Sequence, residues 1–461
     1  MNTELNKDKN QKNAGFEPLL SEFTPPTYAQ WKEVAVKSLK GKPFEKLISK
    51  SYEDIELQPI YNQADVESLP HTANEQPGTF PYVRGCDETG YKIDAWDISQ
   101  EIPCDTPEEF NKTALNALSR GQTAINLRVD SDSPALNSIN DFEIAFKNID
   151  LEAAPINISA DNAAAVYTQL VAYYKQNDLN LANLRGSADI DPIGRLSDTG
   201  NSYCSLEDAY KRMSEAVKFA ADNTPDFTTV EVNSGIYHEA GANAVQELGF
   251  AIATGAEYIK NLIKNDVAVN DSAEQIKFNF KVGPNFFMEI AKFRAAKMLW
   301  AKVVKEFGGT DDDCIMNIYV KTSGTNMTPL DPYVNMLRTT GESISAIIGG
   351  CDSLQVAPFD ENIRPSGELS RRLARNTQII LKEECNMTEV IDPAGGSYYV
   401  EYLTDQLIHK AWNLFVDIEK LGGMTKALVS GFPQAEIKKV AAARVKNFTL
   451  RKDVLVGTNN Y

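Results

Sequence analysis

Two rhythms of apolar positions alternate along this chain. Short β-branched runs with period-two alternation come at "TAINLRV" (123–129), "PINISA" (155–160), "LANLRGSAD" (181–189), "TTVEVN" (228–233), "IKFNFKV" (276–282), "CIMNIYVKT" (314–322) and "SLQVAP" (353–358). Each predicts a strand. After them come segments apolar at helical spacing, such as "NAAAVYTQLVAYYKQ", "NFFMEIAKFRAAKMLWAKVVKEF" and "ELSRRLARNTQIILKEE". The segment "SLEDAYKRMSEAVKFAAD" opens with a serine cap and acidic residues in its first turn. A weaker eighth strand is expected near "TEVIDP", before a helix starting around Ser397. Strands joined by helices pair in parallel and bury both faces. With no Rossmann glycine fingerprint after the first strand, eight such units close most naturally into an α/β fold of the (β/α)8 barrel type. Chemistry in such a barrel sits on the turns after the strands. Here these are Asp189 to Asp191, Asn233 to His238, the turn from Gly283, Lys321 to Thr325, and Pro358 to Glu361.

Composition narrows the partners. The 461 residues are 43% hydrophobic, enough for a large core, and carry a formal net charge of -18. Such a surface repels nucleic-acid backbones and anionic lipids. No apolar run approaches the roughly 18 residues of a membrane helix. Residues 1–14 read as a disordered polar tail on a cytoplasmic protein, without a signal-peptide core. Residues 15–60 read as an N-terminal arm that either wraps a partner subunit or packs on its own barrel. Residues 61–422 would form the barrel, and 423–461 a C-terminal helical segment and tail. The six cysteines (Cys86, Cys104, Cys204, Cys314, Cys351, Cys385) are scattered, with no CxxC pair. They are expected as reduced, buried thiols rather than as zinc ligands.

The stretch "VEVNSGIYHEAGA" (230–242) raises the functional question, because His238, one of three histidines, sits in a strand-to-helix turn. The segments "LKGKPFEKL", "FPYVRG", "GPNFFMEIAKFRAAKMLWAKVV", "KTSGTNMTPLDPYVNMLRTT", "RLARNTQIILKEE", "IDPAGGSYYVEYLT" and "LGGMTKA" stand in an order that resembles methylmalonyl-CoA mutases over nearly the whole chain. The resemblance implies a CoA-binding barrel followed by a cobalamin-binding domain. Together these isomerise methylmalonyl-CoA and succinyl-CoA through an adenosyl radical. A cobalt-ligating histidine in this family stands in D-x-H-x-x-G. His238 gives H-x-x-G, but Ile236 occupies the aspartate position that would hold the other imidazole nitrogen. The sequence ends at "VLVGTNNY", so no C-terminal cobalamin-binding domain is expected, and no cofactor-binding or metal-ligating residue.

Further departures fall where the resemblance places substrate contacts. Members carry S-G-Y-H-x-x-E-A-G-A, whose histidine bonds the migrating thioester carbonyl. Here Gly235 stands at the tyrosine and Ile236 at the histidine. For G-T-I-Q-N-D this chain has "GSADID", with Asp189 at the glutamine, expected to repel an acyl carboxylate. For R-T-H-x-Q-T-S-G it has Asn317, Tyr319 and Lys321 at the arginine, histidine and glutamine. After "FPYVRG", Asp87 and Glu101 replace tyrosines while Asp94 and Ser99 replace arginines of the CoA channel; Trp96 and Tyr91 read as packing. These loops are expected to converge on one barrel mouth with no catalytic residue left. The pattern resembles the non-catalytic small subunit of a heterodimeric mutase, with adenosylcobalamin on the catalytic large subunit. Two alternatives stay open: an active acyl-CoA mutase barrel served by a cobalamin domain on a separate chain, and a repurposed barrel or mutase chaperone. In the latter, Asp189, Asp191, His238, Lys321 and Ser323 would form a small polar pocket.

Overall fold

The computed structural model of the protein describes residues 24, 26–69, 76–103, 105–129, 136 and 138–461. The expected tail at 1–14, the start of the arm at 15–23 and Cys104 lie outside the described residues. Two compact units divide at Ile60. In the first, Thr27 caps the helix Tyr28–Ser38 in a reciprocal box with Gln30, satisfying two end groups that the helix cannot. No residue of this helix is buried, and Tyr28, Val34 and Val36 are exposed. Trp31 meets Phe44 edge-on at 6.1 Å, and two short antiparallel strands, β1 (Ser49–Lys50) and β2 (Glu56–Leu57), follow.

The second unit, Tyr61–Tyr461, contains a closed parallel barrel of eight strands. They are β3 (Asp97–Glu101), β4 (Ala124–Val129), β5 (Ile156–Ala160), β6 (Gly186–Ile190), β7 (Phe227–Asn233), β8 (Ile276–Val282), β9 (Asn317–Thr322) and β10 (Ser353–Gln355). Consecutive strands are neighbours, and β10 closes on β3 through Ser353 opposite Asp97. The barrel expectation therefore holds, but one strand is misplaced. "TEVIDP" forms turns, with Val390 exposed, and the barrel instead begins at "DISQE", which the sequence reading placed in the CoA channel. Each of the other seven strands accordingly moves up one place in the barrel.

The outward faces of the strands carry the apolar core. On β8, Ile276, Phe278, Phe280 and Val282 are buried towards the helices, and Trp300 meets Phe278 edge-on at 4.7 Å. Two helices, Ala244–Lys264 and Phe286–Glu306, are buried along most of their length because a third, Tyr398–Leu421, covers both from outside. Gly249 makes that approach possible: a Cβ there would lie 2.7 Å from Leu414 Cδ2. The helices Met424–Ser430 and Phe432–Thr449 complete this unit. No helix among the described residues is long and apolar enough to cross a membrane. Among the described cysteines the buried-thiol expectation holds for Cys314 and Cys351; Cys86 and Cys204 are half-buried and Cys385 is exposed.

Candidate functional site in the barrel lumen

The inward faces of the strands are polar, and all eight strands contribute to one connected set of side chains. Ser99 on β3 donates to Asn126 Oδ1 on β4, which also accepts from Asn157 Nδ2 on β5 at 3.0 Å. Ser187 on β6 donates to Asn157 Oδ1 at 3.0 Å and accepts from Lys277 Nζ on β8 at 2.6 Å. Lys277 Nζ lies 2.8 Å from Asp189 and 3.7 Å from Glu231 on β7, and 5.3 Å from the centre of the Tyr319 ring on β9. Asn279 donates to Glu231 at 3.0 Å. The Tyr319 hydroxyl donates to Gln355 on β10, and Asn126 Nδ2 bonds both.

Three charges in this lumen depend on one another. Burial disfavours the charged form of Lys277, but Asp189 and Glu231 outweigh it and raise its pKa, so the ammonium persists. Burial and the nearby Asp189 push Glu231 up to about 8 against the pull of Lys277. Near neutral pH Glu231 is therefore largely protonated beside the Lys277 ammonium. Asp189 is thus not the free anion that the sequence suggested; its charge is held by Lys277.

Above this network the mouth forms a cavity of about 400 Å³, bordered by Glu101, Arg128, Lys281 and Lys321. Lys321 pairs with Glu361 at 2.6 Å, and Lys281 lies 3.6 Å from Glu239. Beside it a larger cavity of about 610 Å³ is lined by Asp191, Arg195, Tyr203 and Ile236. Asp191 caps the helix Pro192–Thr199, and burial raises its pKa to about 6.

The turn after β7 is a short helix, Gly235–Glu239, rather than an extended segment, and the long helix begins at Ala244 rather than near Glu239. At about 100° per residue, Ile236 and His238 point to nearly opposite sides of that turn. Ile236 faces the cavity, and His238 faces the barrel wall. His238 is buried, with Nδ1 3.2 Å from Glu247 Oε2 and Nε2 2.9 Å from Ser323 Oγ. Glu247 also accepts from Lys292 Nζ at 2.8 Å; burial works against its charge, but Lys292 and His238 win and hold it near 2. Gly235 packs closely on Lys281: a Cβ there would lie 3.0 Å from Lys281 Cε, so the lysine side chain would have to shift slightly.

The single convergence point expected from the sequence is only partly formed. Ser99, Glu101, Asp189, Tyr319 and Lys321 border the lumen and its mouth, and Gly235 and Ile236 lie at the adjoining turn. Asn317 is exposed at the start of β9, four residues or about 13 Å from Lys321. Asp87 and Asp94 line a separate cavity of about 270 Å³ beside Asp352, at the starts of β3 and β10. Asp87 folds its own turn, accepting from the Thr89 hydroxyl at 2.7 Å. Trp96 and Tyr91 do pack together, with ring centres 5.2 Å apart. Nor do the five polar residues form one pocket: His238 and Ser323 are bonded inside the wall, Asp189 binds Lys277, Lys321 binds Glu361, and Asp191 caps a helix. The sequence reading missed Lys277, Asn279 and Glu231. Their signal was the period-two polar face of "IKFNFKV" and "TTVEVN", which in a strand buried on both sides marks a polar lumen.

The profile of the methylmalonyl-CoA mutase family matches residues 50–461. The chain belongs to the methylmalonyl-CoA mutase family. It is 34% identical over 452 residues to a methylmalonyl-CoA mutase of Cereibacter sphaeroides, covering 94% of this chain and 64% of that relative. It is 35% identical over 451 residues to a protein of Porphyromonas gingivalis named methylmalonyl-CoA mutase small subunit, covering 96% of this chain and 71% of that one. The mitochondrial methylmalonyl-CoA mutase of Homo sapiens is 31% identical, with 95% of this chain and 61% of the relative covered. The chain thus spans a little under two thirds of the first of these relatives.

Proposed function

We propose that this chain is the non-catalytic small subunit of a heterodimeric, adenosylcobalamin-dependent methylmalonyl-CoA mutase, in which a large subunit isomerises methylmalonyl-CoA and succinyl-CoA. The observation that carries this reading is the lumen. The positions where the family resemblance places substrate contacts are here bonded to the barrel itself: Ser99 to Asn126, Asp189 to Lys277, Tyr319 to Gln355, Lys321 to Glu361. A CoA thioester entering the barrel would have to break the largely buried Lys277–Asp189 ion pair, or the neutral bonds beside it, and leave their partners unpaired. Ile236 adds a second argument, because it offers no donor to a developing negative charge on a thioester carbonyl.

In this reading adenosylcobalamin is held by the large subunit, and the chain acts by assembly. His238 supports the assignment, since both of its ring nitrogens already have partners in the wall. The unburied helix Tyr28–Ser38 supports an arm that covers a partner, because Tyr28, Val34 and Val36 are otherwise left to water. The small-subunit name of the Porphyromonas gingivalis relative agrees with it. The test is co-expression with a cognate large subunit, followed by size-exclusion chromatography and turnover assays. The two chains should co-elute, and the complex should turn over methylmalonyl-CoA. Failure to co-elute, or turnover by this chain alone with adenosylcobalamin, overturns the reading.

A further inference from the structure

Behind strand β3, on the side away from the lumen, a narrow cleft runs between the helices Pro107–Leu118 and Glu368–Glu383. Four arginines line it: Arg120 just past the first helix, and Arg371, Arg372 and Arg375 on the second. Ser99 and Glu101 face the lumen and its mouth, so the alternation of the strand turns Gln100 towards the cleft, where it forms part of the lining. In a chain of net charge -18, such a concentration of cations is out of character.

These arginines also lack what surface arginines usually have. Among the described residues, none of the four forms an ion pair with a carboxylate. Arg371 donates to the Ser366 carbonyl. Arg375 is only 7% exposed, yet its side chain makes no hydrogen bond to any described residue, and its Nε is a buried donor without an acceptor. Gln100, 4% exposed, has the same defect at Nε2. Two carboxylates border the cleft. Glu101 lies 3.7 Å from Arg128 at the lumen mouth, and Glu368 is exposed on the outer rim, near Arg371. Burial, then the like charges of Arg120 and Arg372, disfavour the cation on Arg375, and no carboxylate offsets them.

A buried guanidinium without an acceptor is costly in any folded protein, and buried donors that converge on a small space call for an acceptor. The enclosed part of the cleft is about 30 Å³, room for a compact group rather than a nucleoside or a peptide side chain and its backbone. Oxyanions with several acceptor oxygens match the planar fork of arginine. We propose that this cleft binds a phosphate-sized oxyanion, held from below by Arg375 and Gln100 and from the rim by Arg120, Arg371 and Arg372. The site shares only Glu101 with the substrate positions at the lumen mouth, and it does not depend on the subunit role.

The test is calorimetric titration of inorganic phosphate into the purified full chain in phosphate-free buffer, with ionic strength held constant by sodium chloride. Thermal unfolding is followed in parallel. Wild type should bind saturably and melt at a higher temperature with phosphate. R375M should lose both responses, and R120Q on the exposed rim should weaken binding about tenfold, the loss of one charge-assisted bond. In phosphate-free buffer R375M should melt no lower than wild type, because the guanidinium it removes has no protein partner. Absence of saturable binding by wild type, undiminished binding by both variants, or a lower melting temperature for R375M without phosphate overturns the proposal. Should R375M fail to fold, that too counts against it, and R120Q still reads the rim.

Discussion

Lys277 is the cation at the centre of the charged cluster in the lumen, and replacing it with methionine tests the network most sharply. The side chain is 6% exposed and lies within 4 Å of both Asp189 and Glu231. Methionine keeps most of the stem, so the change removes charge rather than volume. Deleting one partner of a buried ion pair costs about 3–5 kcal/mol, because it strands the other charge. Here the cost should vary with pH. Glu231 has a pKa of about 8, so at pH 8.5 it is mostly ionised, and the variant must either strand two carboxylates or take up a proton. At pH 6 Glu231 is already protonated, and only Asp189 loses its counter-ion. We expect K277M to cost about 3–5 kcal/mol at pH 8.5 and at most about 1 kcal/mol less at pH 6. Urea unfolding followed by circular dichroism at the two pH values measures both. A cost below about 1 kcal/mol at both, or one that does not change with pH, would show that water and not the barrel satisfies these groups.

Other consequences follow from the same geometry. Glu231 has its pKa raised on folding, so the folded state holds its proton longer, and this group's contribution to stability falls as pH rises from about 4.5 to about 8. E231Q should flatten that decline in urea midpoints measured across the range. Glu247 has its pKa depressed to about 2, so its contribution is present above about 4.5 and is lost as pH falls towards 2. E247Q should cost about 2–3 kcal/mol at pH 7, because Lys292 loses one of its two buried carboxylate partners and keeps Glu289 at 2.5 Å, and should blunt the acid transition. Brief treatment of the native chain with a maleimide, read by peptide mass spectrometry, should modify Cys385 well before the buried Cys314 and Cys351. Modification of Cys351 at a similar rate would contradict its burial and its pKa, which burial raises to about 12.

What the sequence disclosed follows the apolar faces. Most of the seven foreseen strands were legible because Val, Ile and Phe line their outer faces, as Ile276, Phe278, Phe280 and Val282 do on β8, while β10 showed through the apolar Val356 and Ala357 that follow Leu354. The missed strand, "DISQE", has one apolar residue, Ile98, because its inner face meets a polar lumen and Gln100 turns to the arginine cleft. "TEVIDP" misled because Val390 and Ile391 are β-branched, but Pro393 follows at once and the segment packs as turns, with Ile391 against Gly90. The helix of the β7 turn was hidden because five residues carry too short a period to register. Pairings were the least visible part: Ser323 reaches His238 across 85 positions, and Lys277 reaches Asp189 across 88. Such partners leave no local pattern, so Asp189 read as a bare repulsive charge and Asn317 as a neighbour of Lys321.

The bonded lumen and the proposed non-catalytic role meet in one measurement, the binding of methylmalonyl-CoA to the isolated chain by titration calorimetry. With Ser99, Asp189 and Tyr319 bonded across the barrel, no saturable binding should be seen up to millimolar thioester. Saturable micromolar binding, lost when Lys321 or Tyr319 is replaced, would mean that the lumen opens for a substrate, and the assembly role proposed for this chain would fall.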